Sequence, residues 1–192
     1  MKKISLFCFI LFVLAAQFAN AATIWSTTLV GYYGTNANIT GYSINSILGA
    51  PDTVVTDVGT ADGAIWNNYL TVSFGTWFQD GAGNDVLVHL SDLDVGESFK
   101  VYVSANNIDW YLIGSTSTST SDLYPSGASL GYDMAGCGIS LAQYVKVLTN
   151  ESDAAWSGPD LDAIGVTCPV PEPGTWLLGM LGIAAAWIMR RK

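Results

Sequence analysis

The chain has 192 residues, half of them hydrophobic, with 16 Asp/Glu against 7 Lys/Arg and a formal net charge of −9. A chain so poor in cations lacks the clustered Lys/Arg that phosphate backbones require, which excludes nucleic acid as a partner. Its single histidine, His89, leaves a Ser-His-Asp hydrolase resting on one residue, and no Gly-x-Ser-x-Gly elbow accompanies it.

In chain order, Met1-Lys2-Lys3 is basic, Ile4 to Ala16 is apolar, and Ala19-Asn20-Ala21 places small residues at both positions read before cleavage. This is the pattern of a secretory signal peptide, residues 1–21, with an apolar helix too short to span comfortably. Residues 22–168 are one domain's worth of chain. They hold two lysines, Lys100 and Lys146, against fifteen carboxylates, a formal charge of −13. Cys137 and Cys168 are an even pair in a chain bound for an oxidising compartment. A bridge between them would close a loop of about 30 residues, contribute on the order of 3 kcal/mol, and staple the last strand to an earlier loop.

Short runs rich in Val, Ile, Thr, Tyr and Trp, separated by Gly, Asn, Asp and Ser, predict an all-β domain. Strands are expected at Ile24–Val30, Thr53–Val58, Tyr69–Phe74, Val86–Leu90, Ser98–Ser104, Trp110–Ile113, Tyr144–Leu148 and Leu161–Val166. Leu70, Val72 and Phe74 alternate onto one face, as do Phe99, Val101 and Val103, and Val145 with Val147. Ser43 to Leu48 reads as one helical turn, Asn106-Asn107 as a tight turn, and Ser115 to Ser121 as an exposed edge or loop. About eight short strands predict a jelly-roll-like β-sandwich.

The C-terminal stretch, residues 169–192, has three parts. Pro171-Glu172-Pro173 stops regular structure, because proline lacks an N–H and disfavours helix in its predecessor. Trp176 to Met189 follows without a charge, and Arg190-Arg191-Lys192 close it. About 14 residues at about 1.5 Å each give roughly 21 Å of helix, short of the hydrocarbon thickness of about 30 Å. Such a helix inserts where the bilayer thins or its flanks snorkel, with the cations kept cytoplasmic. The tail resembles the PEP-CTERM sorting signal of Gram-negative surface proteins, through Val170-Pro-Glu-Pro173, the apolar run and the basic end. The resemblance implies recognition by an exosortase, a membrane protease-transpeptidase acting at Pro-Glu-Pro, in cells that make extracellular polysaccharide.

A second resemblance runs through the domain. Leu48-Gly-Ala-Pro-Asp52, Leu70-Thr-Val-Ser-Phe74, Gly83-Asn-Asp85, Val101-Tyr-Val-Ser104 with Trp110, Tyr144-Val-Lys-Val147 and Gly158-Pro-Asp-Leu-Asp-Ala-Ile164 occur in one order. The set is similar to the galactose-binding-like, discoidin-type jelly rolls. Where such relatives often carry an aromatic and a glutamate, this chain has His89 and Leu90, so any role of that glutamate is absent here.

Among candidate sites, Asp80, Asn84 and Asp85 lie in one Gly-rich loop, and Asp160 and Asp162 at the start of the last strand. Two such loops converging at one end of a sandwich would supply oxygens for a structural Ca²⁺; the alternative use of these Asp residues is capping turns. Asp92, Asp94 and Glu97 cluster in a polar turn, the one carboxylate group a glycosidase could draw on. Trp110 is expected in the core because it alternates within a strand. Tyr32, Tyr33, Trp77 and Trp156 sit nearer loops and are the candidate sugar-stacking residues.

These readings converge on a non-enzymatic exported protein. It would pass through an inner-membrane intermediate to the cell surface or extracellular matrix of a Gram-negative bacterium. An exosortase-like membrane protease would be its processing partner and extracellular polysaccharide a ligand, bound weakly. The alternatives are a secreted carbohydrate-active hydrolase and a permanently membrane-anchored adhesin.

Overall fold

The computed structural model describes residues 23–33, 44–54, 56–57, 68–92, 98–117, 127–150 and 159–167. The expected leader at 1–21 and the stretch 169–192 lie outside them, as do Trp156, Cys168, Asp94 and Glu97. Among the described residues there are ten strands: β1 Ile24–Trp25, β2 Thr28–Tyr33, β3 Thr56–Asp57, β4 Asn68–Gln79, β5 Val86–Asp92, β6 Ser98–Ser104, β7 Tyr111–Ser117, β8 Ser129–Tyr132, β9 Leu141–Asn150 and β10 Asp160–Val166. A 3-10 turn, Ile44–Ile47, is the one helical element among the described residues.

The strands form two antiparallel sheets. The first runs β1-β10-β5-β8, with β3 also pairing β10; the second runs β2-β4-β9-β6-β7. Alternation explains the packing. Leu70, Val72, Phe99, Val101, Val103, Val145 and Val147 of the second sheet are fully buried against Val86, Val88, Leu90, Leu161, Ile164 and Val166 of the first. Side chains of two inner faces meeting in this way make the core of a sandwich. The all-β sandwich expected from the sequence is the observed architecture.

Differences from the sequence reading have local causes. The strand expected at Ile24–Val30 is two strands in two sheets. Ser26 N donates to Ile164 O of β10 while Thr27 N donates to Ser73 O of β4, so the chain turns a corner between them. Ser26 is 1% exposed, and its hydroxyl donates to Ile47 O at 2.7 Å, tying the corner to the 3-10 turn. Strand β4 runs on past Phe74 to Gln79 because Gly75, at φ 69°, absorbs a bulge in its pairing with β9. Of the edge or loop expected at Ser115 to Ser121, residues 115–117 are the edge, continuing β7, and the rest lies outside the described residues. Strand β8 has no counterpart among the expected strands: Ser129-Leu-Gly-Tyr132 is short and carries a glycine. That glycine is required, since a Cβ at Gly131 would overlap the Asn84 side chain.

The β6–β7 hairpin turns where the Asn-Asn pair predicts. Ser104 Oγ accepts from Asn106 N at 3.2 Å and Asn107 N at 2.9 Å. Asn106 Oδ1 accepts from Ile108 N and Asp109 N, each at 2.9 Å. Asn107 takes the positive φ of 60° that asparagine tolerates.

Candidate functional site

The clearest constellation lies where β4 ends, β5 begins and β8 ends. One oxygen each from Asp80, Asp85 and Asp133 lies within 4.8 Å of the others. Asp85 is the buried member, at 0% exposure. Its Oδ1 accepts from Gly81 N and its Oδ2 from Met134 N, both at 2.9 Å. Its backbone accepts from Thr167 N and donates to Tyr132 O. One residue thus ties the 80–85 loop, β8 and the end of β10 together. Burial pushes its carboxyl up, the N–H groups of Met134 and Gly81 work against that, and the charges of Asp133 and Asp80 add to the rise. Asp133 Oδ1 also accepts from Ala135 N at 2.8 Å.

Three carboxylates without His or Cys are an all-oxygen, hard donor set that fits Ca²⁺ or Mg²⁺ rather than a transition metal. Of the sequence-predicted set, Asp80 and Asp85 meet here. Asn84 is adjacent but its side chain lies against Gly131. Asp160 and Asp162 do not join them, which corrects the expected convergence of the two loops. In the β5–β10 pairing Val86 faces Val166 whereas Asp160 faces Asp92, six residues or roughly 20 Å along the strands. Asp133, absent from the sequence reading, takes the third place.

Asp162 has a different role. Bulges on both sides of Leu161 set it off the regular register, and it is 2% exposed. Its two oxygens accept from Asp52 N and Thr53 N, each at 3.1 Å, holding a turn in which Thr53 has φ 70°. His89 Nε2 lies 3.8 Å from Asp162 Oδ2, and His89 Nδ1 shares a 2.6 Å hydrogen bond with Ser129 Oγ. The residue types are those of a hydrolytic triad. The His–Asp separation exceeds hydrogen-bond reach, however, and the carboxylate is already committed to the turn.

Among the described residues the aromatic candidates do not form one site. Tyr32 and Tyr33, 51% and 58% exposed, pair with Leu70 and Tyr69 at the start of β4. Trp77, 42% exposed, lies near the other end of the same strand, close in sequence to Asp80. Trp110 is not a core residue, a correction to the alternation argument. It is partly exposed on the outside of the second sheet, with Lys146 Nζ 3.9 Å from its ring centroid. Alternation holds over this stretch but in the other phase: Tyr111 and Ile113 pack against the core and Leu112 is 49% exposed, so Trp110 falls on the outer side with Leu112. Cys137 carries a free thiol among the described residues, and Cys168, its expected partner, lies outside them. The Cys137 thiol donates to Ile139 O at 3.6 Å within its own turn, which Cys137 N closes on Met134 O.

Among the described residues no helix is long and apolar enough to cross a membrane; the apolar run 176–189 lies outside them. Residues 169–192 match the family model of the PEP-CTERM protein-sorting motif. No protein of curated function matches the sequence. Solved structures share the fold at low identity. The C-terminal domain of a chitobiase from Bacteroides fragilis is 12% identical over 79% of this chain and 98% of its own, with TM-score 0.53. A fragment of a chitobiase from Bacteroides thetaiotaomicron is 10% identical over 77% and 90%, with TM-score 0.52. The CBM32-1 module of a family 31 glycoside hydrolase from Clostridium perfringens is 11% identical over 79% and 99%, with TM-score 0.50. The chain therefore carries the PEP-CTERM protein-sorting motif at residues 169–192, behind an all-β sandwich with the fold of the CBM32 modules.

Proposed function

We propose that this is an exported, non-catalytic carbohydrate-binding protein of the cell surface or extracellular matrix. Residues 1–21 act as its leader, and residues 176–189 hold it in the inner membrane of a Gram-negative cell until an exosortase-like protease acts at Pro171-Glu172-Pro173. The observation that carries this reading is the conjunction of the sorting motif with a sandwich of CBM32 fold. The carbohydrate-binding role named for that module is what the fold contributes to the reading. Two further points support a binding rather than a catalytic role. The only histidine is engaged with Ser129, and the buried carboxylates Asp85 and Asp162 each accept two backbone N–H groups and hold loops in place.

A structural Ca²⁺ fits the same reading. Asp80, Asp85 and Asp133 would hold it, with further oxygens from backbone or water, and it would supply positive charge that locks the loops at that end.

Two measurements test the proposal. Mass spectrometry of the mature protein from cells should find the segment Trp176–Lys192 removed; a mature form that keeps it is a permanent anchor and overturns the processing. Gel retardation of the protein in a panel of neutral and acidic polysaccharides should show retention by at least one; uniform mobility across the panel overturns the binding.

A further inference from the structure

The outward side of the second sheet is chemically unlike the rest of the domain. Lys100 and Lys146, the two cations of residues 22–168, both project from it. Their neighbours in the sequence fix this: Phe99, Val101, Val145 and Val147 are 0% exposed on the inner side, so Lys100 and Lys146 face out. Lys100 pairs with Leu148 and Tyr102 with Lys146 across β6 and β9, making the two lysines diagonal neighbours about 7–8 Å apart at Cα. Two aromatic rings lie about Lys146. Lys146 Nζ lies between Trp110, 3.9 Å from its ring centroid, and Tyr69, 5.3 Å from its centroid. Tyr102 and Tyr144 share the same outward parity on β6 and β9 and are partly exposed. Thr71, which also points outward, is 2% exposed, so the long side chains form a layer over the strands. None of the outward positions of β4, β6 and β9 from Tyr69 to Ser73, Lys100 to Ser104 and Tyr144 to Leu148 is acidic.

A domain of charge −13 that carries both its lysines and four aromatic rings on one sheet face presents there charge complementarity to an anion and ring surface to a sugar. The geometry points to this face as a binding platform for an acidic polysaccharide, one bearing carboxylates on its sugar rings. Lys100 and Lys146 meet the carboxylates, while Trp110, Tyr102 and Tyr144 take the apolar faces of the rings. The platform deepens the carbohydrate-binding reading above, on which it rests, and lies apart from the exposed Tyr32, Tyr33 and Trp77. Burial pushes the Lys146 ammonium below its ordinary value.

The test uses the full chain in mild detergent, with polygalacturonate, neutral galactan and polyglutamate as probes in affinity electrophoresis. Polygalacturonate should retard the protein more than either of the others, and the retardation should fade as salt shortens the screening length from about 10 Å to about 3 Å. Lys100→Gln with Lys146→Gln should weaken binding at least about ten-fold, and Trp110→Ala about three- to ten-fold, each variant keeping the parent's circular dichroism. If the Lys146 change unfolds the chain, Lys100→Gln alone must still weaken binding. Equal retention of parent and lysine variants by polygalacturonate overturns the platform while leaving carbohydrate binding elsewhere on the molecule intact. Stronger retention by galactan overturns the acidic class. Equal retention by polyglutamate overturns the role of the rings. A dimer in sedimentation that Trp110→Ala dissolves overturns the platform in favour of a second copy. Retention by none of the probes overturns the platform and counts against the carbohydrate reading as well.

Discussion

With its two oxygens each taking a backbone N–H, Asp85 is as much a structural clamp as a potential ligand. The two uses predict opposite responses to a neighbouring charge. A carboxyl whose folded-state value is raised holds a proton that the unfolded chain has already released. Without metal, its contribution to stability is therefore lost as pH climbs from the ordinary 3.8 through the raised value. Asp133→Asn keeps the oxygen that caps Ala135 N and removes one of the repelling charges. In EDTA at neutral pH it should raise Tm by about 1–3 °C. Saturating Ca²⁺ should raise the parent's Tm by several degrees, about 2.7 kcal/mol at a hundred-fold excess over Kd, and Asp133→Asn should abolish most of that rise. Equal calcium-induced shifts in parent and variant, read by differential scanning calorimetry, would remove the carboxylates from the site. The pair Asp80 and Asp85 was legible because one Gly-rich loop holds both. Asp133 was not, because it approaches only through the β5–β8 pairing, 48 residues on, and nothing in Gly131-Tyr-Asp133 marks it beyond a common turn signal. Asp162 was legible as a special acid, but its role was not, because a bulge that the sequence does not reveal aims it at the Asp52–Thr53 turn.

The elements that alternate strictly were legible at once. β4, β6 and β9 owe their placement to Leu70/Val72/Phe74, Phe99/Val101/Val103 and Val145/Val147, each apolar residue buried as the period of two requires. What alternation does not carry is pairing: the corner at Ser26 and the short β8 depend on hydrogen bonds to strands far away in sequence. The β6–β7 hairpin is the most locally determined element, which makes it the one to perturb. Asn106→Ala removes the acceptor of Ile108 N and Asp109 N and should cost about 1–2 kcal/mol. Because the same turn leads directly into Trp110, the variant should also shift the tryptophan fluorescence at temperatures well below Tm. A drop in stability with an unchanged spectrum would show that Trp110 is held by Lys146 and its neighbours rather than by the turn.

For the whole molecule, two sheets with one interleaved core follow from the number of short strands and the absence of a helical period, so the sandwich was the safest part of the sequence reading. The distribution of function over its surface was not, since the acidic end, the exposed tyrosines and the lysine-bearing face are separated only by the folded topology. One global property is testable directly. The described domain begins and ends on adjacent strands, Ile24 opposite Val166 and Trp25 opposite Gly165. Joining residue 167 to residue 23 by a short Gly/Ser linker and opening the chain between Asn107 and Ile108, which is 77% exposed, should give a cooperative melt. Its Tm should fall by no more than about 5 °C, the equivalent of roughly 1–2 kcal/mol. A permutant without a cooperative transition would mean that the opened hairpin is needed to nucleate the fold.

The antiparallel contact of β1 with β10 has a bearing on export. A polypeptide whose leader and tail both sit in one bilayer is a loop pinned at its two feet, and many folds would have to release a foot before closing. On the reading proposed above, the two feet would lead into the adjacent strands β1 and β10, so the sandwich would zip shut while still doubly tethered. Neither cut then has to wait for the other.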